Sequence, residues 1–144
     1  MKEFATAVEI TATPERVWAV LSDLERWPEW TPSVTRIERL DTGPLAVGHR
    51  ARLRQPRLLP AVWQVTELEP GRGFTWVTRS PGVRVTGQHW VEPEQGGSRA
   101  HLRLRFEGML AGLVAGLAAG LTTRYLALEA RGLKERSEGR IPAR

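Results

Sequence analysis

Cysteine is absent from the 144 residues of the chain. Its absence excludes disulfides, thiolate nucleophiles and cysteine-ligated zinc sites together, and it is compatible with a reducing cytoplasm. Histidine is also scarce, because only His49, His89 and His101 occur and all three fall in strand-like stretches. We therefore expect no metal site and no cofactor. A chain of this length buries about two-thirds of its unfolded surface, so one domain can fold without a disulfide or a bound metal.

Lysine is nearly missing as well, with 2 residues against 19 arginines and a net charge of +5. A basic chain raises the question of nucleic-acid binding. The arginines are spread along the whole sequence and form no run, so we do not expect a nucleic-acid partner. Arg50, Arg52 and Arg54, with Arg103 and Arg105, fall on outward strand positions. They leave open an adaptor that uses a basic strand face.

Long hydrophobic runs are lacking. The single uncharged stretch, residues 109–123, is closed by Arg124 and is shorter than the about 20 residues that a spanning helix needs. Glycine recurs at every fourth position from just before this stretch, at Gly108, Gly112, Gly116 and Gly120. Although membrane helices use small residues in this way, we expect a buried helix whose glycines either bring its backbone close to a sheet or keep volume free for a ligand. The first ten residues lack the apolar region of a secretory signal. We expect a cytoplasmic protein without a transmembrane segment.

The pattern of apolar residues predicts one α+β domain. Alternation predicts a strand over residues 4–10, and Thr13 with Pro14 marks the start of a short helix. A second helical turn is predicted over residues 24–27. Six strands separated by glycine and proline turns are predicted between residues 34 and 107, and one long helix over residues 109–138. We expect residues 1–138 to form the domain and residues 139–144 to be a disordered tail.

Several segments share a recognisable pattern: A-T-P-E-R-V-W at 12–18, W-P-E-W at 27–30, W-Q-V-T-E-L-E-P at 63–70 and G-S-R at 97–99. With the order of elements, they resemble the START-related SRPBCC superfamily, and in particular its polyketide cyclase/dehydrase-like members. The resemblance covers about residues 3–138. It implies a helix-grip fold, in which a curved antiparallel sheet of six to seven strands wraps around a long C-terminal helix. Members bind lipids, polyketides or quinones, and a minority catalyse cyclisation or dehydration.

The resemblance and the alternation together place mostly apolar and aromatic side chains on the concave face of the sheet. These are Leu53, Gln55, Trp63, Val65, Phe74, Trp76, His89, Val91, Leu102, Leu104 and Phe106. From the long helix, Leu113, Leu117, Leu121 and Tyr125 would oppose them. An apolar lining with few polar groups is typical of a small-molecule pocket, although a packed core has the same pattern. The entrance would lie near the turns at residues 57–60 and 80–82 and the helix start at Met109.

His89 is the candidate for chemistry, because an imidazole in such a cavity could be a general base or a hydrogen-bond anchor. No acidic partner is evident; Glu67 would share the Trp63 face in a regular strand, whereas a bulge would turn it outward. We therefore expect a protein that binds a small hydrophobic ligand, such as a lipid, polyketide or quinone, rather than an enzyme. The alternatives are a cyclase/dehydrase in which Tyr125 or Gln55 orients a carbonyl, and the basic adaptor. The outward Trp90 suggests a homodimer contact.

Overall fold

The computed structural model describes residues 2–141. Seven strands, two α-helices and one 3₁₀ helix follow one another along the chain. The elements are β1 (Lys2–Ile10), α1 (Pro14–Ser22), the 3₁₀ helix (Leu24–Glu29), β2 (Arg36–Arg39), β3 (Arg50–Arg54), β4 (Ala61–Glu69), β5 (Gly73–Ser80), β6 (Val83–Glu94), β7 (Gly97–Glu107) and α2 (Ala111–Ser137).

The strands form a single curved antiparallel sheet in the order β1-β7-β6-β5-β4-β3-β2. Strands β2 to β7 form a meander, and β1 completes the sheet by pairing with β7 from Lys2 opposite Phe106 to Ile10 opposite Ser98. The helix α2 packs against β1, β7 and α1. The predicted helix-grip architecture is therefore confirmed, including the element order and the antiparallel meander.

The connection between β1 and β2 fills one end of the concave face. Thr13 caps α1 by accepting a hydrogen bond from the backbone N–H of Arg16 at 3.2 Å. The 3₁₀ helix contains Pro28 and ends at Glu29, two residues beyond the predicted range 24–27. Its Trp27 is buried, and the indole Nε1 donates to the carbonyl of Leu21 at 3.0 Å. This segment thereby places the Trp27 ring against the concave face of the sheet.

The predicted inward face of the sheet is confirmed as a surface. Of its eleven side chains, nine are buried and two, Gln55 and Leu104, are partly buried. Aromatic rings pack across it, with the Trp27 centroid 5.4 Å from Trp76 and the Trp63 centroid 5.3 Å from Trp76. Gly87 lies opposite Trp76 on β6, and a Cβ there would come within 2.9 Å of the Trp76 indole nitrogen. Because Gly87 has no side chain, the Trp76 indole can occupy this space.

The orientation of α2 differs from the sequence expectation. Its N-terminal half turns Ala111 and Ala115 to the sheet, where they contact Phe106, and leaves Leu113 and Leu117 exposed. The prediction that these two leucines oppose the sheet is therefore wrong. The physical reason is lack of space, since Phe4 and Phe106 meet edge to face at 5.8 Å and fill the region beneath the helix. Only small side chains fit between those rings and the α2 backbone.

The glycines of α2 correct a second expectation. A Cβ built on Gly112, Gly116 or Gly120 would meet no atom within 4 Å, so these residues do not bring the helix backbone close to the sheet. Close approach occurs instead at Gly132, where a Cβ would overlap the Trp30 carbonyl oxygen and lie 2.8 Å from its carbon. The helix therefore meets the protein most tightly in its C-terminal half.

Glu138 ties the C-terminal end of α2 to the end of β1. Its carboxylate accepts hydrogen bonds from Lys134 Nζ at 2.8 Å and from the backbone N–H of Thr11 at 2.8 Å, and it is also paired with Arg140. These contacts, led by the bond from Lys134, lower the pKa of Glu138 from its usual 4.5 to about 2. The carboxylate therefore stays charged and keeps the helix end in place.

By length and composition, α2 is the one helix in residues 2–141 that could cross a membrane. A core helix meets the same criterion, and here Leu126, Ala130 and Leu133 pack into the protein. No transmembrane span is supported, and the cytoplasmic location stays a prediction. The predicted tail is described only as far as Ile141, which packs against the main core cluster; residues 142–144 lie outside the described residues. The disorder predicted for the tail, like the predicted 1–138 domain extent, stays a prediction.

Candidate functional site: an inner cavity and an outer groove

A small cavity lies between the sheet and the helices. Its volume is about 40 Å³, and its walls include Trp27, Trp63, Trp76 and His89 on one side and Leu126 on the other. A volume of this size holds roughly two or three water molecules. Drug-sized ligands occupy about 300–1,000 Å³. In this conformation the aromatic side chains therefore occupy most of the space expected for a ligand.

His89 and Glu129 meet at the edge of this cavity. The histidine Nε2 lies 3.2 Å from Glu129 Oε1, and the side chains are only 7% and 12% exposed. The Phe74 ring stacks on the imidazole at a centroid distance of 4.5 Å, which fixes the ring plane. Among residues 2–141, His89 Nδ1 has no hydrogen-bond partner. A carboxylate beside one nitrogen and an unused second nitrogen are what an acid/base imidazole requires.

Glu129 is a residue of the candidate site that the sequence did not predict. It approaches His89 from α2, whereas Glu67, the acidic candidate of the sequence, lies on β4. Glu67 does not take this place, because the register between β4 and β5 shifts between Val65 and Glu67 and leaves Glu67 exposed. The bulge alternative is therefore the correct one. The available signal was helical spacing, since Glu129 follows Tyr125 by four residues and lies on the same face.

A larger groove opens on the outer side of the same region. It measures about 370 Å³ and runs between the β3–β4 loop and α2. Its lining consists of Pro32, Pro56, Arg57, Gly120, Leu121, Arg124, Tyr125 and Leu128. The lining is apolar apart from two guanidinium groups and one phenol, and no carboxylate contributes to it. This volume falls within the range of small-molecule sites.

One contact stands between the groove and the cavity. The Tyr125 hydroxyl donates a hydrogen bond to the backbone carbonyl of Pro56, which joins α2 to the β3–β4 loop. The neighbours of these two residues, Gln55 and Leu126, line the inner cavity, whereas Pro56 and Tyr125 line the groove. Gln55 is held in turn by a bond from its Nε2 to the Ser33 carbonyl at 3.2 Å. We call the Tyr125–Pro56 bond the latch, because it joins two residues of the groove whose chain neighbours line the cavity.

The comparisons with known proteins agree with this architecture. Residues 1–138 match the family described as "Polyketide cyclase / dehydrase and lipid transport". The chain belongs to this family. No curated protein matches the sequence.

Solved structures place this polyketide cyclase/dehydrase and lipid-transport family member in the same fold class. The Zhui aromatase/cyclase from Streptomyces sp. R1128 superposes with a TM-score of 0.78 at 18% identity, over 99% of this chain and 96% of that chain. TTHA0849 from Thermus thermophilus gives 0.75 at 23% identity, over 94% of this chain and 97% of that chain. The di-domain ARO/CYC BexL from the BE-7585A biosynthetic pathway gives 0.71 at 16% identity, over 96% of this chain and 47% of that chain. At these identities the likeness shows the fold.

In this family member, the predicted site residues separate into four groups. Those that line the inner cavity together are Leu53, Gln55, Trp63, Trp76, His89, Leu102 and Leu104. Val65, Phe74, Val91 and Phe106 are buried but do not line the cavity. Leu121 and Tyr125 line the outer groove, and Leu113 and Leu117 are exposed beyond it. The sequence prediction thus combined residues from two adjoining spaces into a single pocket.

Among the remaining sequence candidates, Arg103 lines the inner cavity, whereas the other outward arginines and Trp90 line neither space. Arg103 and Arg105 both pair with Glu3, at 3.2 and 3.4 Å, and Arg52 pairs with Glu38 at 3.0 Å, so the basic strand face is partly neutralised. Trp90 is partly buried on the outer face, and the homodimer contact stays a prediction. Within the described part of the chain, no three His, Asp or Glu side chains come together as metal ligands would.

Proposed function

We propose that the chain binds a small, mostly apolar molecule in the groove between α2 and the β3–β4 loop. The observation that carries this proposal is the open volume of about 370 Å³, which is lined by Leu121, Leu128 and two prolines and adjoins a second, buried cavity. Burial of apolar ligand surface contributes about 25 cal/mol per Å² before the costs of association. Membership of a cyclase/dehydrase and lipid-transport family supports this proposal.

The latch relates the groove to the inner cavity. A ligand longer than the groove would displace the Tyr125–Pro56 bond and extend past Gln55 toward Trp63 and Trp76. Breaking one such bond costs about 1 kcal/mol, which the burial of about 40 Å² of apolar surface offsets. Binding would thus begin in the groove and continue into the cavity.

Gly120 offers a direct test, because it lines the groove and has no atom within 4 Å of a would-be Cβ. The Gly120→Phe variant would place a ring in the groove. Gly112→Phe is the matched control, since it changes an equally open glycine two helical turns away. Calorimetric titration with the bicyclic probe 1-naphthol should show at least a tenfold weaker affinity for Gly120→Phe and no change for Gly112→Phe. Equal affinities would refute the groove as the binding site.

Native mass spectrometry of the purified protein tests for a ligand in the groove without a chosen probe. A bound apolar mass that is retained by the wild type and lost in Gly120→Phe is the expected result. Retention of that mass in the variant would place the ligand elsewhere in the molecule.

A second candidate function is acid/base catalysis of the cyclase/dehydrase type, and the His89–Glu129 contact favours it. If Nε2 donates to the Glu129 carboxylate, Nδ1 is left to accept a proton from a carbon next to a carbonyl. The named cyclase activities of Zhui and BexL suggest a polyketone substrate.

The catalytic candidate is tested with a synthetic linear poly-β-ketone and detection of the cyclised product. If His89 acts as the base and Glu129 orients it, His89→Gln and Glu129→Gln should each reduce turnover by at least a hundredfold. Their affinity for 1-naphthol should stay within a factor of two, because neither residue lines the groove. Absence of product with the wild-type protein, or unchanged turnover in both variants, would leave ligand binding as the function.

A further inference from the structure

A set of large apolar side chains in the segments next to the groove walls, residues 58–59 and 109–117, is exposed in the described part of the chain. We call this set the rim; it consists of Leu58, Leu59, Met109, Leu110, Leu113 and Leu117. Their exposed fractions range from 44% to 97%. Single exposed leucines are common on protein surfaces, but a contiguous patch of this kind marks an interaction site.

The rim residues lie on one side of the molecule. Leu113 and Leu117 are spaced by four residues in α2 and share one helical face, which continues one turn later into Leu121 of the groove, and Met109 lies in the turn just before the helix. The loop that carries Leu58 and Leu59 forms the opposite wall of the same groove through Pro56 and Arg57. The groove therefore opens between the two halves of the rim.

The charge around the rim is of one sign. The segments 56–60 and 108–124 contain Arg57 and Arg124 and no acidic residue. Both arginines are exposed, and neither forms an ion pair within residues 2–141. Glu107, just before the second segment, is already paired with Arg84 at 3.1 Å. The surface thus offers apolar side chains flanked by two unneutralised guanidinium groups.

The exposed apolar side chains and the positive charge together indicate which partner could cover the rim. In a symmetric dimer, the same patch on both copies would bring four arginines together without a carboxylate, and like charges repel. An anionic bilayer surface satisfies both features, because leucine side chains enter the boundary of the acyl chains while arginines contact the phosphates. Apolar side chains with nearby basic residues are the usual composition of such interfacial segments.

We infer that the rim docks the protein onto an anionic lipid bilayer, with the groove opening toward the membrane. The contact is peripheral, since the C-terminal half of α2 is packed in the core through Leu126, Ala130 and Leu133. Docking would let an apolar molecule pass between the bilayer and the groove without crossing water. The inference goes beyond ligand binding, because the rim residues themselves do not line the groove.

The test is sedimentation with vesicles of phosphatidylcholine alone or of phosphatidylcholine and phosphatidylglycerol at 1:1. The wild type should bind the mixed vesicles at least tenfold more tightly than the neutral vesicles, and added salt should weaken the binding. Leu113→Ser/Leu117→Ser should lose at least tenfold in affinity. The matched control is Val47→Ser/Val62→Ser, which removes two exposed apolar side chains that do not belong to the rim and should bind as the wild type does.

The charge contribution is tested separately. Arg57→Gln/Arg124→Gln should bind mixed vesicles several-fold more weakly and should lose most of the salt dependence. Equal binding to both vesicle types, or equal binding by the rim and control variants, would overturn the inference. A dimer in analytical ultracentrifugation that Leu113→Ser/Leu117→Ser abolishes would identify a second copy as the occupant and would also overturn it. The affinity of the leucine variant for 1-naphthol in solution should be unchanged, so that failure of docking is distinguishable from failure of ligand binding.

Discussion

The glycines of α2 provide a quantitative test of how this helix lies on the sheet. Gly116 is exposed, lies in the helix interior and has open space around a would-be Cβ. An alanine in such a position is favoured over glycine by about 1 kcal/mol, because glycine loses more backbone entropy in a helix. Gly116→Ala should therefore raise the free energy of unfolding by about 1 kcal/mol and the melting temperature by about 2–4 °C.

The same substitution at Gly132 should have the opposite sign. There a Cβ would overlap the Trp30 carbonyl and lie 3.0 Å from the Trp30 ring, and the carbonyl is backbone that cannot rotate away. Overpacking of this kind costs about 1–3 kcal/mol, and we expect the upper end because a backbone atom must move. After the gain in helix propensity, Gly132→Ala should lower the stability by about 2 kcal/mol and the melting temperature by about 4–8 °C.

The assay is urea denaturation followed by circular dichroism, together with thermal melting of the same samples. The denaturant slope should be unchanged, so that the midpoint reports stability directly. Gly112→Ala serves as the control for Gly116→Ala and should stabilise the protein by a similar amount. If Gly116→Ala destabilises the protein, or if both positions respond alike, α2 does not face the sheet with the residues described above.

Two further predictions concern the helix ends and the latch. Glu138→Gln should lower stability by about 1 kcal/mol at pH 7, because the partners of Glu138 depress the pKa of this carboxyl below its unfolded value. That contribution is present above pH 4.5 and is lost as the pH falls toward 2. The free energies of unfolding of the wild type and the variant should therefore converge in acid. A constant difference between them down to pH 2 would contradict this prediction. Tyr125→Phe removes the bond to Pro56 and should cost at most about 1 kcal/mol of stability while accelerating 1-naphthol association in stopped-flow measurements. An unchanged association rate would show that the latch does not limit access.

The sheet could be predicted well from the sequence because strand alternation reports directly which face is buried. Leu102, flanked by outward His101 and Arg103, is an example, and its predicted orientation is confirmed. Pairing within the meander follows from the short turns. Even the bulge that turns Glu67 outward could be stated as an alternative, although the sequence alone could not decide it.

The helix face could not be predicted in the same way. Periodicity arguments assume that the largest apolar residues face the core, whereas α2 turns Ala111 and Ala115 inward because Phe4 and Phe106 already fill that space. Its mostly apolar first half also makes its two sides hard to distinguish. Glu129 was missed for the same reason, since its contact with His89 depends on the rotation of the helix about its axis.

The pairing of β1 with β7 has a consequence for how the molecule acquires its structure. Glu3 and Arg105, which meet across these strands, are separated by 102 positions along the chain. During synthesis, β1 therefore has no hydrogen-bonding neighbour until β7, the last strand, has left the ribosome. Closing so long a loop is entropically costly and slow. Any nascent chain halted before Gly97 would expose an unpaired strand edge to other chains, which makes premature termination a direct route to aggregation.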